Sequence, residues 1–246
     1  MTNYRMTLQY DGTKYNGWQK QGNTKNTIQE KLETVLGKMT GHSVEIHGSG
    51  RTDKGVHAKG QVASFKIAST FSAEEIKDYL NTYLPDDIAV TTLCEADERF
   101  HARLNAKRKT YAYQIWNSNV PNVFEHRFMH TVVENLDIES MRKAAKKLLG
   151  EHDFKGFSSV KRTKKSTVRT IYSVGVERFG DEIVFAVTGN GFLYNMVRIM
   201  AGTLLEIGLG KCSEDVIDEI LKTKNRELAG ETLPGKGLML LSVEYE

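Results

Sequence analysis

The sequence predicts an α+β protein composed of two α/β halves with antiparallel sheets. Segments with the alternating apolar pattern of strands and segments with helical periodicity follow one another in the order β-α-β-β-α-β over residues 4–95. A second series of strands and helices begins near Lys109. Because 39% of the 246 residues are hydrophobic, the chain can fill a complete core. We place the boundary between the halves 1–105 and 106–246.

The first half is predicted to contain two helices and four strands. Segment 27–39 has helical apolar spacing, with Thr27 as N-cap and Glu30 completing a capping-box pattern. The second helix begins at Ser72, its cap, and ends at Leu84 before a proline. The strands of this half are predicted at residues 4–10, 43–47, 61–67 and 88–95. This order is ferredoxin-like, which is also the topology of RRM domains.

The second half is predicted to repeat this mixture of elements without a close sequence repeat. A helix over 138–149 is expected to end at Gly150, because glycine readily takes the left-handed conformation of a C-cap. Two further helices are predicted at 192–209, which is largely apolar, and at 213–222. The strands are predicted at residues 110–116, 170–178, 182–187 and 238–245.

Residues 48–58, with the sequence GSGRTDKGVHA, form the stretch with the greatest chemical content. Its three glycines allow positive φ and a close approach of the backbone to a ligand. Asp53 stands between Arg51 and Lys54, and such cations favour the ionised carboxylate. An ionised aspartate beside a cleft can act as a nucleophile or as a base. A tight turn rich in solvated charge is the plainer interpretation.

The same stretch excludes several familiar sites. It is not a Walker A loop, because Val56 and His57 stand where Lys and Ser/Thr are required. It is not a dinucleotide fingerprint, because Asp53 stands at the third glycine position. A hydrolase triad of Ser49, Asp53 and His57, or a metal site of His47, Asp53 and His57, has only proximity in its favour. No metal is expected.

Positive charge is concentrated in two segments, although the net charge is only +3. Residues 103–109 (RLNAKRK) carry four cations and residues 161–169 (KRTKKSTVR) carry five, without an acid in either run. Such patches suit a polyanion, because binding to phosphates releases counterions. A solvated loop is the alternative for each patch, and the Gly, Ser and Thr around 156–167 argue against a membrane-binding basic helix.

Cysteine usage and hydropathy predict a soluble, reduced, cytoplasmic protein. Cys94 and Cys212 are far apart, so neither a zinc site nor a disulfide framework is indicated. We find no apolar signal-peptide core near residue 1 and no run of eighteen apolar residues, and we therefore expect no membrane partner.

The stretch 48–58 resembles the catalytic motif of the tRNA pseudouridine synthase A (TruA) family, Gly-x-Gly-Arg-Thr-Asp-x-Gly-Val-His. Six further motifs resemble this family in the expected order, so that the resemblance covers nearly the whole chain. They are YDGT at 10–13, YNGWQ at 15–19, FHAR at 100–103, KTYAY at 109–113, LGEHDF at 149–154 and MVR at 196–198. The resemblance implies the pseudouridine synthase fold, with a central active-site cleft between the two halves.

The resemblance also implies the catalytic residues. Asp53 corresponds to the nucleophile, Tyr111 to the active-site tyrosine that stacks on uracil, and Arg198 to the ion-pair partner of the aspartate. Taken alone, Tyr111 is more often a packing residue of its strand, and the alternative for Arg198 is a surface arginine with a packed stem. The residues leave three routes open for the carboxylate: attack at ribose C1′, help in removing the 2′ proton, or attack at uracil C6.

The RNA-contacting residues and the substrate are likewise implied by the resemblance. Arg51 corresponds to the arginine that fills the space left by a flipped base. Other residues correspond to tRNA-contacting segments of the family: His101, Arg103, Lys164, Lys165 and Arg169. The implied substrate is the anticodon stem-loop of many tRNAs, at positions 38 to 40, bound by a homodimer. The reaction neither oxidises nor hydrolyses, so we expect no cofactor.

Two other functions remain open from the sequence. A non-catalytic RNA-binding protein with RRM-like sheets would retain the basic patches, but no RNP-type aromatic string is visible. An Asp-dependent nucleoside hydrolase would need a second acid or a metal site, which the sequence does not indicate.

Overall fold

The computed structural model describes residues 1–68, 70–160 and 165–246, which form two compact units. The first unit comprises Met1–Lys107 with Leu240–Glu246, and the second comprises Arg108–Met239. Within the described residues there are five α-helices and ten β-strands, so the predicted α+β class is confirmed. None of the helices in these ranges is both long enough and apolar enough to span a membrane.

The helices and strands follow each other in mixed order along the chain. The helices are α1 (Ile28–Thr40), α2 (Ala73–Tyr83), α3 (Ile138–Lys146), α4 (Met196–Gly208) and α5 (Val216–Thr223). The strands are β1 (Thr2–Tyr10), β2 (Ile46–Gly48), β3 (His57–Ile67), β4 (Ile88–Glu95), β5 (Arg108–Asn117), β6 (His130–Val132), β7 (Gly150–Asp153), β8 (Val168–Phe179), β9 (Glu182–Gly189) and β10 (Leu238–Glu244).

The first unit has the predicted ferredoxin-like topology. Its strands lie in the order β4-β1-β3, and β3 pairs further with β2 and with β10; the β4-β1, β1-β3 and β3-β2 pairs are antiparallel. At α1, whose residues are all described, only one of the two hydrogen bonds of the expected capping box is present. Thr27 accepts a hydrogen bond from the Glu30 amide, but the Glu30 carboxylate lies 3.2 Å from Lys20 Nζ. The complete box occurs at α2, where Ser72 and Glu75 cap each other.

Strand β3 begins four residues earlier than the alternation predicts. Its antiparallel register with β1 pairs Leu8 with Gln61 and then, across a bulge, Tyr10 with Ala58. His57 and Ala58 therefore belong to a strand, not to the glycine-rich loop as their composition suggests. This shortens the loop that carries Asp53 and joins it directly to the sheet.

The second unit has the strand order β5-β9-β8-β7, and all of these neighbours are antiparallel. The sheet is not purely antiparallel as predicted, because the short strand β6 pairs in parallel with the end of β5. Strands β6 and β7 contain three and four residues. Segments this short show no measurable alternation, which explains why the sequence did not reveal them.

Two helix boundaries in the second unit differ from the prediction. Helix α3 ends at Lys146 with Lys147 as its C-cap, and Gly150, at φ +96°, instead opens β7. Helix α4 begins at Met196, not at Phe192, because Asn195 adopts φ 62°, ψ 6° and interrupts the helical path. Residues 190–195 therefore form a loop between β9 and α4, and almost every residue of α4 is buried.

Candidate active site

Hydrogen bonds among buried polar side chains fix the loop between β2 and β3. Ser49 Oγ donates to Gln61 Oε1 over 2.6 Å, and Gln61 Nε2 donates to the Gly50 carbonyl over 3.0 Å. The Tyr10 hydroxyl lies 2.8 Å from Thr52 Oγ1. Burial raises the pKa of Tyr10 to about 12, so the phenol stays neutral and can donate. The backbone on both sides of residue 51 is therefore held rigidly.

Two backbone hydrogen bonds join the loop to residues 12–18, which precede α1 and which we call the clamp segment. The Trp18 amide donates to the Thr52 carbonyl over 3.0 Å, and the Gly55 amide donates to the Tyr15 carbonyl over 3.3 Å. Within the loop, the Val56 amide donates to the Asp53 carbonyl over 3.1 Å. These contacts fix the peptide groups around Asp53, whose side chain is half-buried, while Arg51 is exposed.

Two glycines allow the clamp segment to approach the backbone of the loop closely. A Cβ on Gly12 would stand 2.0 Å from the Val56 carbonyl oxygen, and one on Gly17 would stand 2.6 Å from the Thr52 carbonyl oxygen. Gly17 also adopts φ +91°, which side chains with a Cβ rarely take. The glycines of the 10–13 and 15–19 motifs are therefore required by contact with the loop.

His57 is a buried support beneath this loop. Its Nδ1 lies 3.0 Å from the Gly12 amide and 3.2 Å from Asp11 Oδ1. The amide can only donate, so Nδ1 is the acceptor, and this assigns the neutral tautomer with the proton on Nε2. No group of three or more His, Cys, Asp or Glu residues in the described ranges is arranged to hold a metal ion.

Replacing Gln61 by Leu is expected to lower the free energy of unfolding by about 2–6 kcal/mol. The change leaves the Ser49 hydroxyl and the Gly50 carbonyl without their buried partner, and each lost partner costs ~1–3 kcal/mol. Urea denaturation followed by circular dichroism measures the change. Gln9→Leu, at an exposed position of β1, is the control and should be nearly neutral. Equal stability of the two variants would contradict a structural role for the network.

The segment carrying His101 and Arg103 docks beside the strand that leads into the loop. The Ala102 amide donates to Ser64 Oγ over 3.1 Å, and Ser64 pairs with His47 across β2 and β3. The rings of His47 and His101 stack with centroids 4.8 Å apart. Burial, reinforced by His47, lowers the pKa of His101, so this ring is neutral at pH 7. Arg103 is exposed.

In the second unit, the loop of residues 190–195 contacts Tyr111 and Arg169. Tyr111, on β5, is 8% exposed and meets Phe192 edge-on with ring centroids 5.2 Å apart. Arg169 lies over Gly191, and its Nη1 donates to the carbonyls of its own segment at 166 and 168. Lys165 is exposed, whereas Lys164 lies outside the described residues.

The same loop also holds Arg198, on the first turn of α4. Arg198 Nε donates to the Leu233 carbonyl over 2.6 Å, and its Nη1 donates to Asn195 Oδ1 over 2.9 Å. The guanidinium is half-buried with defined partners, so it is not a free surface group. Its positive charge is also felt by the buried Tyr113, where it partly offsets the rise in pKa that burial causes.

Each unit thus gathers its own set of predicted residues. The first unit places Arg51 and Asp53 on the clamped loop, with His101 and Arg103 beside its entry strand. The second unit arranges Tyr111, Arg169 and Arg198 around residues 190–195. Sequence reasoning missed several supporting residues, which are Gln61, Asn195, Phe192 and His47 in its stacking role. The only available signal was a polar residue within an otherwise apolar run, as at 61 and 195.

Comparison with known proteins identifies the family. A family model described as tRNA pseudouridine synthase matches residues 6–105 and 144–246. The tRNA pseudouridine synthase A of Bacillus sp. (strain KSM-64) is 49% identical over 230 residues, 94% of each chain. The tRNA pseudouridine synthase A 2 of Bacillus cereus (strain ZK / E33L) is 46% identical over 245 residues. The tRNA pseudouridine synthase A of Acetivibrio thermocellus is 46% identical over 246 residues. The last two alignments each cover 100% of both chains.

A solved structure titled "Crystal Structure of a Cbf5-Nop10-Gar1 Complex" aligns with 96% of this chain and 48% of its own. Its identity of 13% and TM-score of 0.37 are too low to carry an argument. The family model and the relatives do carry one, since they span most or all of this sequence. The chain therefore belongs to the tRNA pseudouridine synthase family.

Proposed function

We propose that this protein is an isomerase that converts uridine to pseudouridine in tRNA, at positions 38, 39 and 40 of the anticodon stem-loop. The observation that carries the proposal is the rigid presentation of Asp53. Its loop is held by a buried polar network and by two backbone bonds, within a catalytic motif of the family. Such preorganisation is what a group positioned for attack requires.

The reaction breaks the bond between uracil N1 and ribose C1′ and forms a bond between C5 and C1′. The C5 proton leaves and N1 gains a proton, so atoms and charge balance without a cofactor. We assign Asp53 as the nucleophile, with Arg198 as its ion-pair partner. We assign Tyr111 to stacking on the uracil, an interaction worth ~1–3 kcal/mol for a base on an aromatic ring.

The substrate must leave its helical stack before the carboxylate can reach it, at a cost of a few kcal/mol. We propose that the exposed Arg51 fills the vacated space. His101 and Arg103 are proposed to contact the tRNA, as is the basic segment that contains Lys164, Lys165 and Arg169. A substrate set of many tRNAs calls for recognition of shape and backbone more than of base edges. Scattered cations meet that need.

The assembly and location are part of the same proposal. Residues 1–105 carry the loop with Asp53, and residues 106–246 carry Tyr111 and Arg198. Family resemblance supports a homodimer that binds one tRNA across both subunits. We propose a cytoplasmic location, where the substrate is found.

The decisive experiment uses unmodified tRNA labelled with tritium at uridine C5, incubated with the protein without added cofactor or metal. Tritium release supports the proposed isomerisation, because C5 loses its hydrogen only when the base is rejoined through that atom. Mapping the modified positions in the product tests the assignment to 38, 39 and 40. Tight binding without release from several tRNAs would favour a non-catalytic RNA-binding protein instead.

Neutralising Lys165 and Arg169 together is expected to weaken tRNA binding and flatten its salt dependence. If each cation contacts one phosphate, the slope of log K against log salt should fall by about 1.4–1.8. Filter binding between 50 and 200 mM salt, the range in which such contacts show strongly, measures the slope. Lys211→Gln with Lys222→Gln, at exposed positions near α5, is the charge-matched control. An unchanged slope would remove this segment from the RNA path.

A further inference from the structure

The guanidinium of Arg198 donates hydrogen bonds from at least two of its nitrogens. Nε donates to the Leu233 carbonyl, which belongs to the backbone, and Nη1 donates to the side chain of Asn195. A guanidinium held only at Nε can still swing about its side-chain torsions. The second contact fixes the plane of the group, and with it the direction of the remaining N–H donors.

Asn195 makes this contact from a backbone conformation that costs free energy. Its φ of 62° and ψ of 6° lie in the left-handed region, which residues other than glycine occupy rarely. Strain of this kind persists where the surrounding structure enforces it, and it concentrates at functional sites. Asparagine tolerates the conformation better than most residues, although glycine would relieve it completely.

The amide of Asn195 is not used to cap α4, although asparagine is among the preferred N-cap residues. Instead, Oδ1 accepts from Arg198, and Nδ2 donates to Ser159 Oγ over 3.0 Å. Arginine can only donate, so the orientation of the amide is determined by its partner. Ser159 is itself anchored, since its amide donates to the Tyr194 carbonyl over 3.1 Å.

We propose that Asn195 is a positioning residue that sets the orientation of the Arg198 guanidinium for catalysis. Hydrogen bonds connect Ser159, Asn195 and Arg198 in series and so orient the guanidinium. The left-handed backbone at residue 195 brings the amide within hydrogen-bond distance of it. The catalytic part of this inference rests on the proposed function of Arg198. The orientation of the guanidinium can be measured without any substrate.

The test compares Asn195→Gly with Lys224→Gly in the full-length protein. Lys224 is the other non-glycine residue with positive φ in the described ranges, so its replacement relieves the same strain without touching Arg198. Loss of a hydrogen bond to a charged group predicts that kcat of Asn195→Gly falls about 10- to 100-fold, with KM for tRNA changing less than about threefold. Lys224→Gly should retain the parent kcat. Both variants should melt near the parent temperature.

A double-mutant cycle separates positioning from a general structural effect. In an Arg198→Ala background, Asn195→Gly should change kcat by less than about twofold, because its effect passes through the missing arginine. A further loss as large as in the parent background would overturn the proposal. So would an unchanged kcat in the single variant.

An NMR measurement decides the structural part independently of turnover. In the free parent protein, the two Nη nitrogens of Arg198 should give separate signals, because the contact at Asn195 slows rotation about Nε–Cζ. In Asn195→Gly the two signals should exchange several times faster than in the parent, and in Lys224→Gly the exchange rate should be unchanged. An exchange rate in Asn195→Gly equal to that of the parent would overturn the positioning role. Absence of tritium release by the parent would instead overturn the proposed function, and this NMR comparison would still stand.

Discussion

Replacing Asp53 by Asn is expected to lower pseudouridine formation by about 10⁴-fold or more, since the amide can act neither as the nucleophile nor as the base that the three routes require. The loop should keep its shape, because asparagine has nearly the size of aspartate and the backbone bonds at 52–56 and the contact of Tyr10 with Thr52 are unchanged. Affinity for tRNA should therefore stay within about threefold of the parent. Tritium release under single-turnover conditions and filter binding measure the two quantities.

Asp181→Asn is the matched control for this variant. The same chemical change is made at an exposed turn residue between β8 and β9, so tritium release should be unaffected. Substantial turnover by Asp53→Asn would remove the carboxylate from the role of nucleophile. A loss of tRNA affinity as large as the loss of turnover would show that Asp53 contributes mainly to binding.

Replacing Gly12 by Ala should give the second large effect, on both stability and turnover. The new Cβ would stand 2.0 Å from the Val56 carbonyl oxygen and 2.6 Å from its carbonyl carbon. Both are backbone atoms, so the segments must separate and the hydrogen bond from the Gly12 amide to His57 must lengthen. We expect the free energy of unfolding to fall by about 3 kcal/mol or more, as for overpacked sites.

The displaced loop should also lose activity in the protein that remains folded. The Val56 amide is bonded to the Asp53 carbonyl, so a shift at 56 moves the carboxylate, and a misplacement of 1 Å can cost about 10²-fold in rate. Thermal melting and tritium release well below the melting temperature measure the two effects. Gly22→Ala is the control, because its Cβ would meet nothing within 4 Å and no positive φ is involved. A stable, fully active Gly12→Ala protein would contradict the close packing of the clamp segment against the loop.

The sequence predicted the fold best where an element carries its own boundary signals. Strand β4 was located at 88–95, and α2 follows directly after its cap at Ser72. The prediction was wrong where pairing with a distant segment determines which residues form a strand. His57 joins β3 because the register with β1 extends past a bulge, and a composition of glycine and charge cannot reveal that register. Strand β6 exists only through its pairing with β5.

The candidate site shows the same division. Asp53 and Arg51 could be singled out from a string of eleven residues, since chemistry is concentrated there. The supports of these residues could not, because a buried amide such as Gln61 acts through partners that are distant in sequence. Asn195 is a further case, since positive φ in a non-glycine residue leaves no pattern in the chain.

The division of the chain between the two units has a consequence for the order of folding during synthesis. Residues 240–246 are made after the whole second unit, yet they belong to the first. The Tyr245 hydroxyl donates to the Ala102 carbonyl over 2.7 Å, and the Lys107 amide donates to the Glu244 carbonyl over 2.8 Å. A nascent chain that has reached residue 239 therefore still lacks two of the hydrogen bonds that hold the segment carrying His101 and Arg103. The first unit, which carries Arg51, His101 and Arg103, is therefore synthesised in two parts that are separated by some 130 residues.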